Sequence, residues 1–197
     1  MRADVRDMRI LSTYAHVFAE LRYDSDTFWE FLTDIVSNNF AGLPWPEKVD
    51  IMRSYSRAKR GSNELWNYFI DNSLIEKGID DLERDIALTA FIGEAELPKE
   101  IISGYRFDPS QLASSINNIL AGKPHMMVSS SNCEDLAFLI LFHPWVTNEE
   151  AQIFENLLRN SYKYIYMEST NRINQMYDRV KRNKALKTIG IDDLQTN

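Results

Sequence analysis

The feature that most constrains the fold of this 197-residue chain is an internal repeat. Residues 14–34 align without gaps onto residues 51–71, an offset of 37 positions. Where 28–34 lies on 65–71, the two segments share the positions of tryptophan, aromatic, large apolar and aspartate residues. A third, fainter copy follows at an offset near 36. A period of this length built from two helices is typical of an α-solenoid, in which each helical pair buries its apolar face on the next pair.

Apolar residues recur at helical spacing along almost the whole sequence, which predicts an all-α fold. The chain has only 7 glycines and 6 prolines, and this argues against a turn-rich β-sandwich or barrel. We predict about ten helices, arranged as a short α-solenoid of stacked helical hairpins closed by a C-terminal helix pair. The segment 123–130 is predicted to be an irregular loop.

Several helix starts are marked by side chains that can accept hydrogen bonds from free backbone N–H groups. Ser25 and Ser62 occupy matching positions in the repeat, and Asp108 stands before Pro109. The segments 131–134 and 147–150 have the capping-box pattern, led by Ser131 and Thr147.

We predict a single helical-repeat domain over residues 1–197. Its clearest repeats cover 8–105, degenerate helices cover 106–160, and a basic C-terminal helix covers 161–190. Small residues such as Ala19 and Ser56 should let neighbouring helices approach, while Trp29 and Trp66 should occupy equivalent sites between successive helical pairs.

Small residues in the first helix, a Ser-capped second helix with an aromatic pair, and a period in the mid-thirties together resemble a known family. The resemblance is to the degenerate pentatricopeptide, octotricopeptide and RAP-associated repeat proteins of mitochondria and chloroplasts, over about residues 8–105. The size and layout are similar to those of the pentatricopeptide-like peripheral subunit that euglenozoan mitochondria add to ATP synthase. The resemblance implies a location in the mitochondrial matrix and a place in a larger complex; without it, a cytoplasmic protein is expected. The N-terminal ten residues lack a presequence pattern, although the numbering could start after a removed presequence.

No pattern of catalytic residues stands out. The three histidines, His16, His125 and His143, have no partner at metal-ligand spacing, and Cys133 is expected to be a small buried residue. Phosphate-binding glycine motifs are absent, and the acidic runs 80–83 and 94–96 are expected to be solvated. We therefore predict a non-enzyme with no catalytic residue, no cofactor and no metal.

Charge is distributed unevenly and bears on the kind of partner. Residues 1–160 hold fifteen bases and twenty-five acids, whereas 161–190 hold seven bases and two acids. A Tyr- and Arg-rich C-terminal helix suits a protein interface, and bases with aromatic residues also suit RNA. Because the acidic body repels phosphate, we favour protein subunits of a larger assembly, with an organellar RNA-binding repeat protein as the alternative and no membrane span. The candidate protein-binding residues are Tyr162, Tyr166, Arg172, Arg179, Lys181 and Arg182.

Overall fold

The protein is all-helical in the computed structural model, which describes residues 5–23, 25–75, 80–98 and 107–162. None of these residues lies in a β-strand, which confirms the predicted all-α class. The described residues contain eight α-helices and one 3₁₀ turn, Phe40–Gly42. The helices are α1 (Val5–Glu20), α2 (Asp26–Asn39), α3 (Trp45–Arg57), α4 (Asn63–Leu74), α5 (Asp81–Glu94), α6 (Pro109–Gly122), α7 (Ser130–Leu141) and α8 (Asn148–Tyr162).

The chain divides into two compact units, Met1–Phe107 and Asp108–Asn197. The first contains α1 to α5 and the second contains α6 to α8. The expectation of one domain spanning residues 1–197 stays a prediction.

In the first unit, α3 packs against both α1 and α5. Arg9 near the start of α1 forms an ion pair with Glu47 at the start of α3, with an N–O distance of 3.0 Å. At the other end of the same two helices, Arg57 pairs with Glu20. Since start meets start and end meets end, α1 and α3 run in parallel.

The same helix-ending turn recurs three times at intervals of 37 residues. Arg22, Lys59 and Glu96 have φ angles of 51°, 50° and 55°, in the left-handed region that non-glycine residues seldom adopt. Each follows the end of a helix, and the next residue donates its backbone N–H to a carbonyl five residues back, as in a Schellman turn. The third copy thus keeps the offset of 37 at this turn. The part of the third copy that the sequence places at an offset near 36, around Ile101 and Ile102, lies outside the described residues.

The first hairpin consists of α1 and α2, and the second consists of α3 and α4. The second helix of each hairpin begins in the same way. Ser25 accepts a hydrogen bond from the Phe28 N–H, and Ser62 accepts one from the Leu65 N–H, which confirms both predicted caps. The indole of Trp29 donates to the Tyr23 carbonyl at 3.4 Å. The indole of Trp66 donates to the Arg60 carbonyl at 3.0 Å, so both tryptophans hold the same position against the preceding turn.

The core of the first unit is aromatic. The Tyr55 ring contacts Trp29 and Phe69 edge-to-face, with centroid distances of 5.2 and 5.4 Å, and Phe69 also contacts Phe40. Lys48 is buried among these residues, where its ammonium donates to the Asn72 carbonyl and lies over the Phe40 ring. Aromatic pairs of this kind stabilise a core beyond their buried area, so the rings fix how α2, α3 and α4 pack.

In the second unit, α8 packs against α6 and α7. Thr147 and Glu150 exchange hydrogen bonds at the start of α8, which confirms that capping box. The capping box predicted at Ser131 is wrong, because the helix begins two residues earlier and Ser129 caps it by accepting from the Asn132 N–H. Three consecutive serines could each supply the hydroxyl, and spacing alone did not distinguish them.

Candidate protein-binding groove

A groove of about 300 Å³ opens on the first unit beside α2. One wall is formed by α2, and the other by Tyr55 of α3 and the turn between α3 and α4. Its lining residues are Asp26, Trp29, Glu30, Thr33, Asp34, Tyr55, Arg60, Gly61 and Ser62.

The floor of the groove is rigid and mostly apolar. Trp29 and Tyr55 are both buried, and the indole is held in place by its hydrogen bond to the Tyr23 carbonyl. The Tyr55 hydroxyl and the Thr33 hydroxyl lie 2.9 Å apart in a hydrogen bond that either group can donate. Burial raises the pKa of Tyr55 above its ordinary value, so the phenol stays protonated and acts as a hydrogen-bonding group rather than as a base.

The rim of the groove is acidic. Asp26, Glu30 and Asp34 are spaced by four residues, so all three carboxylates lie on one face of α2, a helix with no basic residue. Asp26 pairs with Arg60 at 2.6 Å. Within the described part of the chain, the side chains of Glu30 and Asp34 have no ion-pair partner. Two exposed carboxylates therefore stand above an aromatic floor.

This arrangement fits a basic side chain. The aliphatic stem of Arg or Lys can lie along Trp29 while its charged end reaches Glu30 and Asp34, as long cationic side chains do at boundaries between apolar and polar surface. Guanidinium groups also stack on aromatic rings and bind carboxylates with two parallel hydrogen bonds. The negative rim is correspondingly unfavourable to phosphate.

The matching positions one repeat later do not form such a site. Thr33 and Tyr55 correspond to Ile70 and Ile92, both buried, and Arg60 corresponds to Leu97. Glu30 corresponds to Asn67. The two hydroxyls and the Glu30 carboxylate therefore have no counterpart one repeat later, whereas Asp34 corresponds to another acid, Asp71.

A second set of charged residues, which the sequence analysis did not predict, occupies equivalent positions at the ends of three helices. Glu20, Arg57 and Glu94 lie 37 residues apart at the ends of α1, α3 and α5, and Arg57 pairs with both acids. The expectation that residues 94–96 form a solvated face holds for Glu96, which is exposed and pairs with Lys59. It is wrong for Glu94, which is largely buried and accepts a hydrogen bond from Ser56 at 2.7 Å. Burial raises the pKa of Glu94 despite the Ser56 hydrogen bond and the nearby Arg57 and Arg53.

The sequence-predicted interface residues fall outside the described structure. Tyr166, Arg172, Arg179, Lys181 and Arg182 lie beyond residue 162. Tyr162 ends α8, but its side chain is not described. These residues stay a prediction, and the groove on α2 is a candidate that the sequence reasoning missed.

The residues weighed for chemistry do not form a reactive centre among themselves. Cys133 is buried in α7, as predicted. His125 is exposed, whereas His143 is buried and its Nδ1 accepts a hydrogen bond from the Trp145 N–H at 3.3 Å. Within the described ranges, no three His, Cys, Asp or Glu side chains converge to hold a metal ion. No described helix is both long and apolar enough to cross a bilayer.

No protein-family model, curated protein or solved structure matches this chain significantly.

Proposed function

We propose that this protein is a non-catalytic helical-repeat scaffold that binds a basic segment of another protein through the groove on α2. The observation that carries the proposal is the pair of free carboxylates, Glu30 and Asp34, above the buried Trp29–Tyr55 floor. A scaffold built as a short solenoid of stacked hairpins is supported by the threefold turn at intervals of 37 residues and by the packing of α3 on α1 and α5. Its place as a peripheral subunit of a mitochondrial complex such as ATP synthase rests on the resemblance of the repeats alone.

Electrostatics favour a protein partner over nucleic acid. RNA binding depends on bases that neutralise phosphates and release counterions, and α2 offers three acids and no base. Complementary charge would instead steer a basic protein segment to this surface and limit wrong partners. RNA binding, the alternative suggested by the repeats, would therefore have to use another surface.

The test is a titration of the full chain with a short peptide containing one central arginine, followed by the indole N–H resonances in an NMR spectrum. A Trp29→Phe variant identifies the Trp29 signal. We expect that signal to shift with the arginine peptide and not with the same peptide carrying citrulline, which keeps the shape and loses the charge. In the double variant Glu30→Gln/Asp34→Asn, we expect the affinity to fall about tenfold or more, as for the loss of charge-assisted bonds.

A matched control removes two acidic charges in the second unit, as Glu134→Gln/Glu149→Gln, and should leave the titration unchanged. Single-stranded RNA at about 150 mM salt serves as the competing probe, because non-specific phosphate binding is already weak there. Equal loss of peptide binding in both double variants would show only general attraction to an acidic surface. Tight, selective RNA binding without a response at Trp29 would contradict the proposed function.

A further inference from the structure

The first hairpin exposes large apolar side chains on the side that faces away from the second hairpin. On α1 they recur at intervals of four and three residues, so they form one continuous stripe. Phe31 of α2 is also 55% exposed, and Leu21 at the end of the stripe is 71% exposed. We call this surface the outer face; it consists of Ile10, Tyr14, Val17, Leu21 and Phe31.

One repeat later, the same positions are covered. Tyr14 and Val17 correspond to Ile51 and Ser54, which are fully buried in α3. They lie on the helix face that includes Glu47, the ion-pair partner of α1. Phe31 corresponds to Tyr68, whose ring contacts Phe40 at the end of the first hairpin with a centroid distance of 5.9 Å. In the second hairpin, the first hairpin covers this face.

The molecule therefore shows what kind of element fits the outer face. In α1, the side that packs towards α3 carries small or flexible residues, and it lies opposite the exposed stripe. These buried residues are Met8, Ser12, Ala15 and Ala19. Small side chains let two helices approach closely while the larger residues of the facing helix fill the space between them. The covering helix runs parallel to the one it covers.

Charge adds a second requirement for the element that covers the outer face. Along the ends of α1, α3 and α5 the signs alternate, from Glu20 to Arg57 to Glu94. Glu20 remains half exposed at the end of α1. A covering helix that continues this alternation of charge would present Lys or Arg in its last turn beside Glu20. An acidic side chain at that position would be repelled by the Glu20 carboxylate.

We infer that the outer face is a docking site for a helical hairpin of another protein, which extends the stack by one helical pair. The inference shares the stacked-repeat premise of the proposed function but uses a different surface. A second copy of this chain is a poorer occupant, since its own small-residue face is already buried against α3. Large exposed apolar faces are poorly soluble unless covered, and this gives the surface a physical reason to be occupied.

The experiment places a photo-crosslinking amino acid in the full chain inside the cells that produce it, as Tyr14→p-benzoylphenylalanine and, separately, Leu21→p-benzoylphenylalanine. The crosslinked peptides are then identified by mass spectrometry. Both positions should crosslink to one helix of one other protein. The two attachment points should lie about seven residues apart in the same chain order, as parallel packing requires. The attached helix should carry small residues at helical spacing and a base in its last turn.

Val17→Glu is expected to reduce the crosslinks at least tenfold, because it places a charge in the middle of the stripe. Ile75→Glu is the matched control: Ile75 is also 71% exposed but lies at the end of α4, and its crosslinks should be unchanged. Circular dichroism checks that both variants remain folded. Glu30→Gln/Asp34→Asn should also leave the crosslinks unchanged, so failure of the groove and failure of the outer face can be told apart.

Four results would overturn the inference. They are crosslinks between two copies, distinguished by mixing isotope-labelled and unlabelled chains; crosslinks within one chain; attachment points in reversed or scattered order; and no specific crosslink at all.

Discussion

Replacing Trp66 with alanine is expected to lower the free energy of unfolding of the first unit by about 3–5 kcal/mol. The side chain is only 1% exposed, and its ring meets Phe69 edge-to-face at 5.6 Å. Alanine would leave a cavity in that core and would also remove the donor that satisfies the Arg60 carbonyl. The lost hydrogen bond accounts for about 1 kcal/mol of the change and the lost packing for the rest.

Three companion variants separate these contributions. Trp66→Phe keeps most of the apolar volume and loses the N–H, so it is expected to cost about 1–2 kcal/mol. Trp29→Ala occupies the same repeat position but has a longer hydrogen bond, 3.4 Å, and faces a groove, so it should cost less than Trp66→Ala. Ile75→Ala, at an exposed site, should change stability by no more than about 0.5 kcal/mol.

Urea unfolding followed by far-ultraviolet circular dichroism measures all four differences. For a unit of this size, each kcal/mol corresponds to a shift in melting temperature of about 4–8 °C, so Trp66→Ala should melt more than about 12 °C below the parent protein. If Trp66→Ala costs less than about 1 kcal/mol, or no more than Ile75→Ala, the indole is not a core element and the reasoning from the repeat is refuted.

Three further results are expected. Glu94→Gln should raise stability at pH 7, because burial raises the pKa of this carboxyl and the folded protein loses stability as the pH rises through that pKa; urea midpoints at pH 4.5 and 7 should differ less in the variant. Gly61→Ala should lower the melting temperature by several degrees, since its φ is 98° and a Cβ atom would crowd the neighbouring indole, whereas Gly42→Ala, with open space around it, should not. Arg57→Glu should lower the free energy of unfolding by about 1–3 kcal/mol, because the new carboxylate would face those of Glu20 and Glu94. Arg22→Glu makes the same change in net charge and should cost less than about 0.5 kcal/mol. The difference between the two variants should shrink in about 1 M NaCl, which screens the repulsion.

The sequence was informative where structure depends on local pattern. Ser25 and Ser62 cap their helices, and Thr147 and Glu150 form a capping box, because these contacts involve residues three apart in the chain. The burial of Trp29 and Trp66 follows from the helical spacing of their neighbours. Periodicity therefore predicted the all-α class well.

Contacts between residues far apart in the chain could not be predicted from the local sequence pattern. The groove depends on Tyr55 meeting Thr33, 22 residues away, and nothing in the local pattern marks that pair. The ion-pair ladder left a detectable signal, since Glu20, Arg57 and Glu94 differ only in sign at the same repeat position. Comparison of charges between repeats, rather than of apolar residues alone, would have found it.

The repeat positions divide into those that maintain the hairpin and those that vary between copies. Serine caps, buried tryptophans and left-handed turns recur in register, and they form the framework of each hairpin. Thr33 and Tyr55 give way to Ile70 and Ile92 one repeat later without disturbing the neighbouring tryptophan, which keeps the same hydrogen bond. A polar pair can thus be exchanged for an apolar pair at this position within one framework. The side chains that line the proposed binding groove can therefore vary separately from the packing that supports them, as the proposed scaffold role would require.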